Sequence, residues 1–411
     1  MITIKPFKAL RPSAQYATHV ASLPYDVMNR AEAKLQVQGN PHSFLHITRS
    51  EINSPESTDV YDESIYKSAA ENLRSFISRG VLFQENKDCY YIYRLIMNGR
   101  SQSGLVCVSS VEDYNNNLIK KHEFTRPVKE NDRINHIYYT KAQTGNVFLA
   151  YKNVEAIDTI IANWQESRSP IYDFIASDGI QHSVWVVNTD EVVSKITDAF
   201  ATNVAATYIA DGHHRAASAA KSRQRFIDNN QNVNADFFLT TLFPSNQLHI
   251  MDYNRVVTDL NGHTPEQVLE KLQDQFTISI VGKDAFKPEA IHEFGMYLAG
   301  NWYKLVSKDN TYKTDPIGIL DVTILQENIL EPVFNILDQR TDSRIDFVGG
   351  IRGVQELANR VDSGEMAVAF SIYPVSIQQL FDISDAGSVM PPKSTWFEPK
   401  LRDGLLTHLV E

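Results

Sequence analysis

Cysteine is scarce in this chain: Cys89 and Cys107 are the only two in 411 residues. Both stand in strand-like, mostly apolar or small surroundings without metal-site spacing, which excludes a disulfide scaffold and fits reduced thiols of a cytosolic protein. A basic excess is also missing, since 39 Lys and Arg face 50 Asp and Glu for a net charge of −11. A general nucleic-acid binder shows a basic face, so this balance argues against one and leaves room only for a local basic pocket. No stretch approaches the roughly twenty apolar residues of a membrane helix. The opening M-I-T-I-K-P-F-K-A-L lacks the charged region and apolar run of a signal peptide. A cytoplasmic location without membrane attachment is expected. Neither G-x-x-x-x-G-K-[ST] nor G-x-G-x-x-G occurs, so a nucleotide would meet neither a P-loop nor a Rossmann turn.

What is present is the material of a globular protein. Hydrophobic residues make up 43% and charged residues 22%, and the length exceeds one typical domain. Residues 1–50 read as irregular and rich in aromatics, prolines and histidines. Tyr61, Ile65, Ala69, Leu73 and Phe76 have helical spacing, and Gly80 suits the helix end. Apolar runs at Cys89–Met97 and Gly104–Val111 flank the turn-prone Asn98-Gly99 and predict an antiparallel pair. Lys120–Lys141 reads as a polar segment, Asn146–Tyr151 as a strand and Glu155–Ser167 as a helix. Ser183–Val187 and Phe237–Phe243 read as strands, with a helix begun at Thr189-Asp190 between them. Later segments mix helices (Pro265–Gln275, Val322–Leu330, Ser376–Ile383) with strands (Thr277–Val281, Trp302–Ser307, Ala367–Tyr373). Elements in no strict alternation predict an α+β fold with mixed sheets. Three regions are expected, 1–165, 166–260 and 261–411, packed as one body.

The most informative stretch is Thr207–Ala220, T-Y-I-A-D-G-H-H-R-A-A-S-A-A. Tyr208-Ile209-Ala210 suits a buried strand, Asp211-Gly212 a turn, and Ala216–Ala220 a helix. A helix N-terminus offers unpaired N–H groups and the positive end of its dipole, which suit phosphate or carboxylate. Arg215 adds a planar fork for two oxygens of such an anion, and Asp211 could cap the helix or hold a metal. His213 and His214 complete a density of polar groups expected of an active-site floor. A plain helix cap with structural histidines would use some of the same residues.

A second candidate is K-K-H-E-F-T-R-P-V-K-E-N-D-R, Lys120–Arg133. Glu123 could take a proton from a hydroxyl, and Arg126, Lys129 and Arg133 could hold phosphate charge. A solvated charged loop is the alternative. In the third, Pro391-Pro392-Lys393-Ser394-Thr395, Lys393 could reach a phosphate, or Trp396 and Phe397 could simply pin the segment. Pro24-Tyr25-Asp26 and Asn40-Pro41-His42 read as architecture. His213-His214 lacks the i, i+4 partner of a zinc helix, whereas a nucleotide-borne Mg²⁺ held by Asp211 or Glu123 is compatible.

These segments resemble the bacterial and archaeal family called domain of unknown function 1015. The likeness runs through I-K-P-F-K-A-L-R-P, P-Y-D-V, N-P-H-S-F-L, the His122-Glu123 segment, I-A-D-G-H-H-R-A-A-S-A-A and M-P-P-K-S-T-W-F-E-P-K-L, covering nearly the whole chain. Some members carry a SpoOJ/ParB-like label, and the D-G-H-H-R turn resembles the phosphate-binding turn of the ParB/sulfiredoxin superfamily. That superfamily includes kinases that phosphorylate free serine. The resemblance implies a ParB/sulfiredoxin-like nucleotide-binding core, with Gly212, His213, His214 and Arg215 cradling phosphates. Asp211 or Glu123 would then activate the acceptor hydroxyl or hold Mg²⁺. Ala216-Ala217 replaces a bulkier pair common in the family, which bears on acceptor specificity. The implied activity is phosphoryl transfer from ATP or ADP to a small hydroxyl compound, free L-serine first. The alternatives are a ParB-like nucleotide-binding regulator and a hydrolase working without nucleotide. A homodimer is compatible with either of the first two.

Overall fold

The structure is a computed structural model that describes residues 1–231 and 233–410. Asn98 and Gly99 both take left-handed backbone (φ 52° and 77°), as a tight hairpin turn between two apolar runs requires. The chain divides into two compact units, Met1–Leu248 with Pro399–Glu411, and His249–Glu398. This replaces the three expected regions. A boundary drawn from composition cannot reveal that the chain leaves one unit, completes another, and returns.

In the first unit nine strands form one sheet: β1 (Ile4–Lys5), β2 (Tyr90–Met97), β3 (Arg100–Ser110), β4 (Ile119–Lys120), β5 (Val147–Tyr151), β6 (Tyr172–Ile175), β7 (Gln181–Val187), β8 (Thr207–Asp211) and β9 (Phe237–Pro244). The order is β4-β8-β5-β9-β3-β2-β7-β6, with β1 also pairing to β3. β8 runs parallel to β4 and antiparallel to β5, and β9 runs parallel to β5, so the sheet is mixed. The helices of this unit include α1 (Glu63–Ser78), α2 (Pro127–Thr140), α3 (Glu155–Ser167), α4 (Asp190–Asn203) and α5 (His213–Asp228). Ile92, Leu105, Leu149, Trp185, Phe200 and Ile209 belong to one buried cluster that fixes β8, and with it the start of α5.

The polar segment Lys120–Lys141 conceals helix α2. Its buried face carries Glu130, Asp132, Arg133 and His136 beside Ile137, so hydrophobic spacing is absent. It packs on α5, where Ser218 Oγ donates to the Glu130 carbonyl (3.1 Å) and Arg225 donates to Asn135 Oδ1 (2.5 Å). The tail returns into this unit as an extended segment. Asp403 pairs with Ser22, Thr407 with Leu10, and His408–Leu409 with Ala142–Gln143.

The second unit has an antiparallel six-stranded sheet of β10 (Tyr253–Val257), β11 (Phe276–Gly282), β12 (Glu293–Leu298), β13 (Asn301–Ser307), β14 (Ile345–Gly349) and β15 (Val368–Ile372). Their order is β11-β13-β12-β15-β10-β14. The expected helix at Val322–Leu330 is α-helical through Asp321–Leu325 and then a π-helix over Gln326–Leu330. Helices together with a mixed sheet in one unit and an antiparallel sheet in the other make the protein α+β, as its element pattern predicts. Among the described residues no helix is long and apolar enough to cross a membrane.

Candidate functional site

β8 ends at Asp211, after a register shift against β5 between Ile209 and Asp211. Such an irregularity re-aims a side chain at the end of a ladder. Gly212 follows with φ 96° and ψ 33° and is the N-cap of α5. A Cβ at Gly212 would stand 3.0 Å from Arg215 Nε and 3.1 Å from its Cζ, so glycine is required both by the backbone and by the guanidinium folded over it. No side chain caps α5, and Asp211 therefore does not act as its cap. Its carboxylate meets Arg215 Nη2 at 3.2 Å and Lys400 Nζ at 3.5 Å. Those cations hold Asp211 well below the usual carboxylate range despite burial.

Arg215 is 7% exposed and is the hub of the site. Nη1 donates to the Asn146 carbonyl, and Nη2 also lies 3.6 Å from the carboxylate of the exposed Asp26. Arg133, likewise buried, pairs with Asp132 (Nη2 to Oδ2 2.9 Å) and places its guanidinium 4.0 Å from the Tyr25 ring centre. A cavity of about 30 Å³ is lined by polar Tyr25, Arg133, His136 and Arg215 and by apolar residues that include Val147 and Phe238. Asp403, 2% exposed, is pushed up to about 8 by burial, against the pull of Arg215 and Arg133.

The two neighbouring histidines hold a loop. His213 Nε2 accepts from the His122 backbone N–H at 3.4 Å, and the two rings meet edge to face at 4.4 Å. His214 Nε2 accepts from the Arg126 N–H at 3.0 Å. Burial pushes His122 down to about 4 and His213 well below its ordinary range, so both rings are neutral. The second sequence candidate is thereby brought to the first, with Glu123 half-buried on the loop and Arg126 exposed at the start of α2.

Arg133 joins the cavity, whereas Lys393 belongs to the second unit. There it is exposed, has φ 57°, and lies 5.7 Å from the Tyr253 ring centre. The neighbouring Pro392 carbonyl accepts from Arg255 Nη2 at 3.1 Å, and this fully buried arginine is lowered to about 10 by its burial. Among the described residues no three His, Cys, Asp or Glu side chains are grouped to hold a metal ion. With Asp211 committed to two cations, the residues do not fit a resident Mg²⁺.

Sequence reasoning passed over Tyr25, Asp26, Lys400 and Asp403. P-Y-D-V was visible as a motif, but nothing local tells that Asp26 faces an arginine nearly two hundred positions away. Lys400 and Asp403 carry a signal only in the charged K-L-R-D run after the prolines.

Fold and site together define an α+β protein with a polar strand–turn–helix built on β8, the strand next to the edge of a mixed sheet. The chain belongs to the family described as Protein of unknown function (DUF1015), which it matches over residues 4–323. No curated protein matches it. Among solved structures it is similar to a free serine kinase in complex with AMP, at 11% identity and TM-score 0.37, covering 75% of this chain and 91% of that one. A conserved hypothetical protein from Pyrococcus furiosus matches at 13% identity and TM-score 0.35, over 74% and 94% of the two chains. SbnI with C-terminal truncation from Staphylococcus aureus matches at 11% identity and TM-score 0.38, over 74% and 87%. At these scores the likenesses carry no argument about this chain, and the site geometry alone supports the reading that follows.

Proposed function

We infer that the protein is a small-molecule kinase that moves a phosphoryl group from ATP or ADP to a small hydroxyl compound, free L-serine first among them. The observation that carries this reading is the Gly212 turn. A left-handed glycine opens a sixteen-residue helix, and the guanidinium of Arg215 folds back over it. First-turn amides and a fixed guanidinium fork together suit the oxygens of a transferring phosphate.

Catalysis would be positioning and charge stabilisation. The acceptor oxygen attacks the terminal phosphorus, the bond to the nucleotide's bridging oxygen breaks, and the acceptor proton passes to a carboxylate. Asp211 is a poor acceptor because its neighbours hold it ionised and acidic. Glu123 on the clamped loop and Asp26 beside Arg215 are better suited. His213 and His214 act by fastening that loop. Arg126 and Lys393 fall outside the cavity lining, and their phosphate roles require the nucleotide to reach them. Any Mg²⁺ comes with the nucleotide rather than from a site of the protein.

A second reading is favoured by how fully the polar groups are used. With both imidazoles and Asp211 engaged, the site could bind a nucleotide as a regulator without turnover. The test incubates protein with Mg²⁺, γ-labelled ATP or β-labelled ADP, and pooled amino acids and hydroxy acids. Label on serine or a related alcohol supports the kinase, and Arg215→Lys should then lose roughly 10²–10³-fold in rate, as removal of a transition-state donor does. Nucleotide bound but label never transferred would favour the regulator. No nucleotide binding would remove the phosphate turn from the argument.

A further inference from the structure

Two buried polar atoms beside Gly145, Arg215 Nε and Asp403 Oδ2, have no hydrogen-bond partner among the described residues. Their residues are 7% and 2% exposed. A Cβ at Gly145 would stand 3.2 Å from Arg215 Cδ and 3.5 and 3.7 Å from the two Asp403 carboxylate oxygens, so both residues lie directly against this glycine. Gly145 and Arg215 also line the cavity. A buried polar atom left unsatisfied is costly, and two in one place mark a position for a ligand.

The sign of that ligand follows from the groups around it. Asp403 on the tail faces Arg215 on α5, Asp26 and Tyr25 near the N-terminus, and Arg133 on α2. Arg133 is taken by Asp132, Arg215 by Asp26 and Asp211, and Lys400 by Asp211. His136, the other ionisable group lining the cavity, is neutral, lowered to about 4 by burial. Among these described residues the carboxylates exceed the cations by one, and Asp403 is the one without an ion pair to a described cation. A neutral carboxyl and an Arg Nε–H are both donors.

We propose that Arg215 Nε and the carboxyl of Asp403 form a seat for the carboxylate of the acceptor, which makes the acceptor a hydroxy acid or hydroxy amino acid. This rests on the kinase reading for the word acceptor, while the seat itself is a claim about oxyanion binding. Asp403 touches the substrate in this arrangement but takes no part in the transfer step.

Sulfate, which does not titrate between pH 6.5 and 9.5, is the probe, and isothermal titration calorimetry on the full chain is the measurement. Sulfate affinity should be level up to about pH 8 and then fall tenfold per pH unit, as ionised Asp403 repels the anion. Asp403→Asn keeps a donor without the ionisation, so its affinity should be level across the range. Gly145→Ala, which sets a methyl group against Arg215 and Asp403 while keeping every charge, should weaken binding at least tenfold at pH 7. A profile that does not change across pH 8, or the same fall in Asp403→Asn, would overturn the seat. If Asp403→Asn fails to fold, the wild-type profile and Gly145→Ala still decide. Sulfate bound as expected with no label transferred to any alcohol leaves the seat standing and removes the kinase. Transfer to serine with pH-independent sulfate binding does the reverse.

Discussion

At the scale of single residues, the first unit holds several imidazoles in the neutral form. Burial lowers His122, His136 and His408 to about 4 and His182 to about 3. An unfolded imidazole takes up its proton near 6.5, so below that pH the unfolded chain binds more protons than the folded one. Stability must therefore fall with pH from about 6.5 toward 4, by about 1.4 kcal/mol per pH unit for each histidine. Asp403 and Asp321, raised to about 8 and about 7 by burial, act in the opposite sense and lose their contribution as pH rises. Four groups outweigh two below pH 6.5, whereas above it only the carboxyls remain. The unfolding midpoint should accordingly peak near neutrality and drop steeply between pH 6 and 4.5. Calorimetric scans showing a constant midpoint over that interval would contradict the neutral histidines. Arg215→Ala is a poor probe of catalysis for a related reason. It strands Asp211 and Asp26 beside a buried Asp403, and breaking such pairs costs about 3–5 kcal/mol.

At the scale of elements, what could be read from the chain depended on whether the buried face was apolar. Glu155–Ser167 is found as a helix with the expected bounds, because Ile157, Ile161 and Trp164 give it a plain stripe. The strand–turn–helix at Asp211 was legible for the same reason, with Ile209 before it and alanines after it. Helix α2 was not, because its inward face is built of charged groups held in ion pairs, one within the helix and one to α5. Its Lys221–Glu130 and Arg133–Asp132 pairs explain in three dimensions what a linear reading takes for a solvated run. The tail is the other illegible element. Leu401 to Thr407 are all buried, yet their partners are Leu10, Ser22 and Tyr93. Arg402 Nε donates to His182 Nε2 at 3.3 Å, and its backbone N–H donates to Tyr93 Oη at 3.2 Å. A chain ending at Glu398 should lose these bonds together, leaving residues 1–248 open to cleavage. Native-state proteolysis read by mass spectrometry would show it, and full protection of that region would mean that the tail is dispensable.

At the scale of the whole molecule, the second unit is inserted in sequence between Leu248 and Pro399 of the first. Its two ends lie side by side, since Ile250–Met251 pairs with Trp396–Phe397. It has its own apolar cluster, including Val256, Trp302, Val348 and Ala369. Adjacent ends and a private core are what an independently folding domain needs. Residues 249–398 alone should thus unfold in one cooperative transition, seen as coincident loss of near- and far-UV circular dichroism. A gradual, non-coincident loss would show that this unit borrows its stability.

The returning tail also orders events during synthesis. Asp26, Asp211 and Arg215 are translated early, but Lys400 and Asp403 leave the ribosome only after the entire second unit has been made. Until then Asp211 lacks its lysine, and strands at Leu10, Ser22 and Ala142 have unpaired edges. The growing polypeptide therefore holds an unfinished site with exposed edges while a complete domain folds in the interval, and it is in that interval that the chain most needs protection by a chaperone.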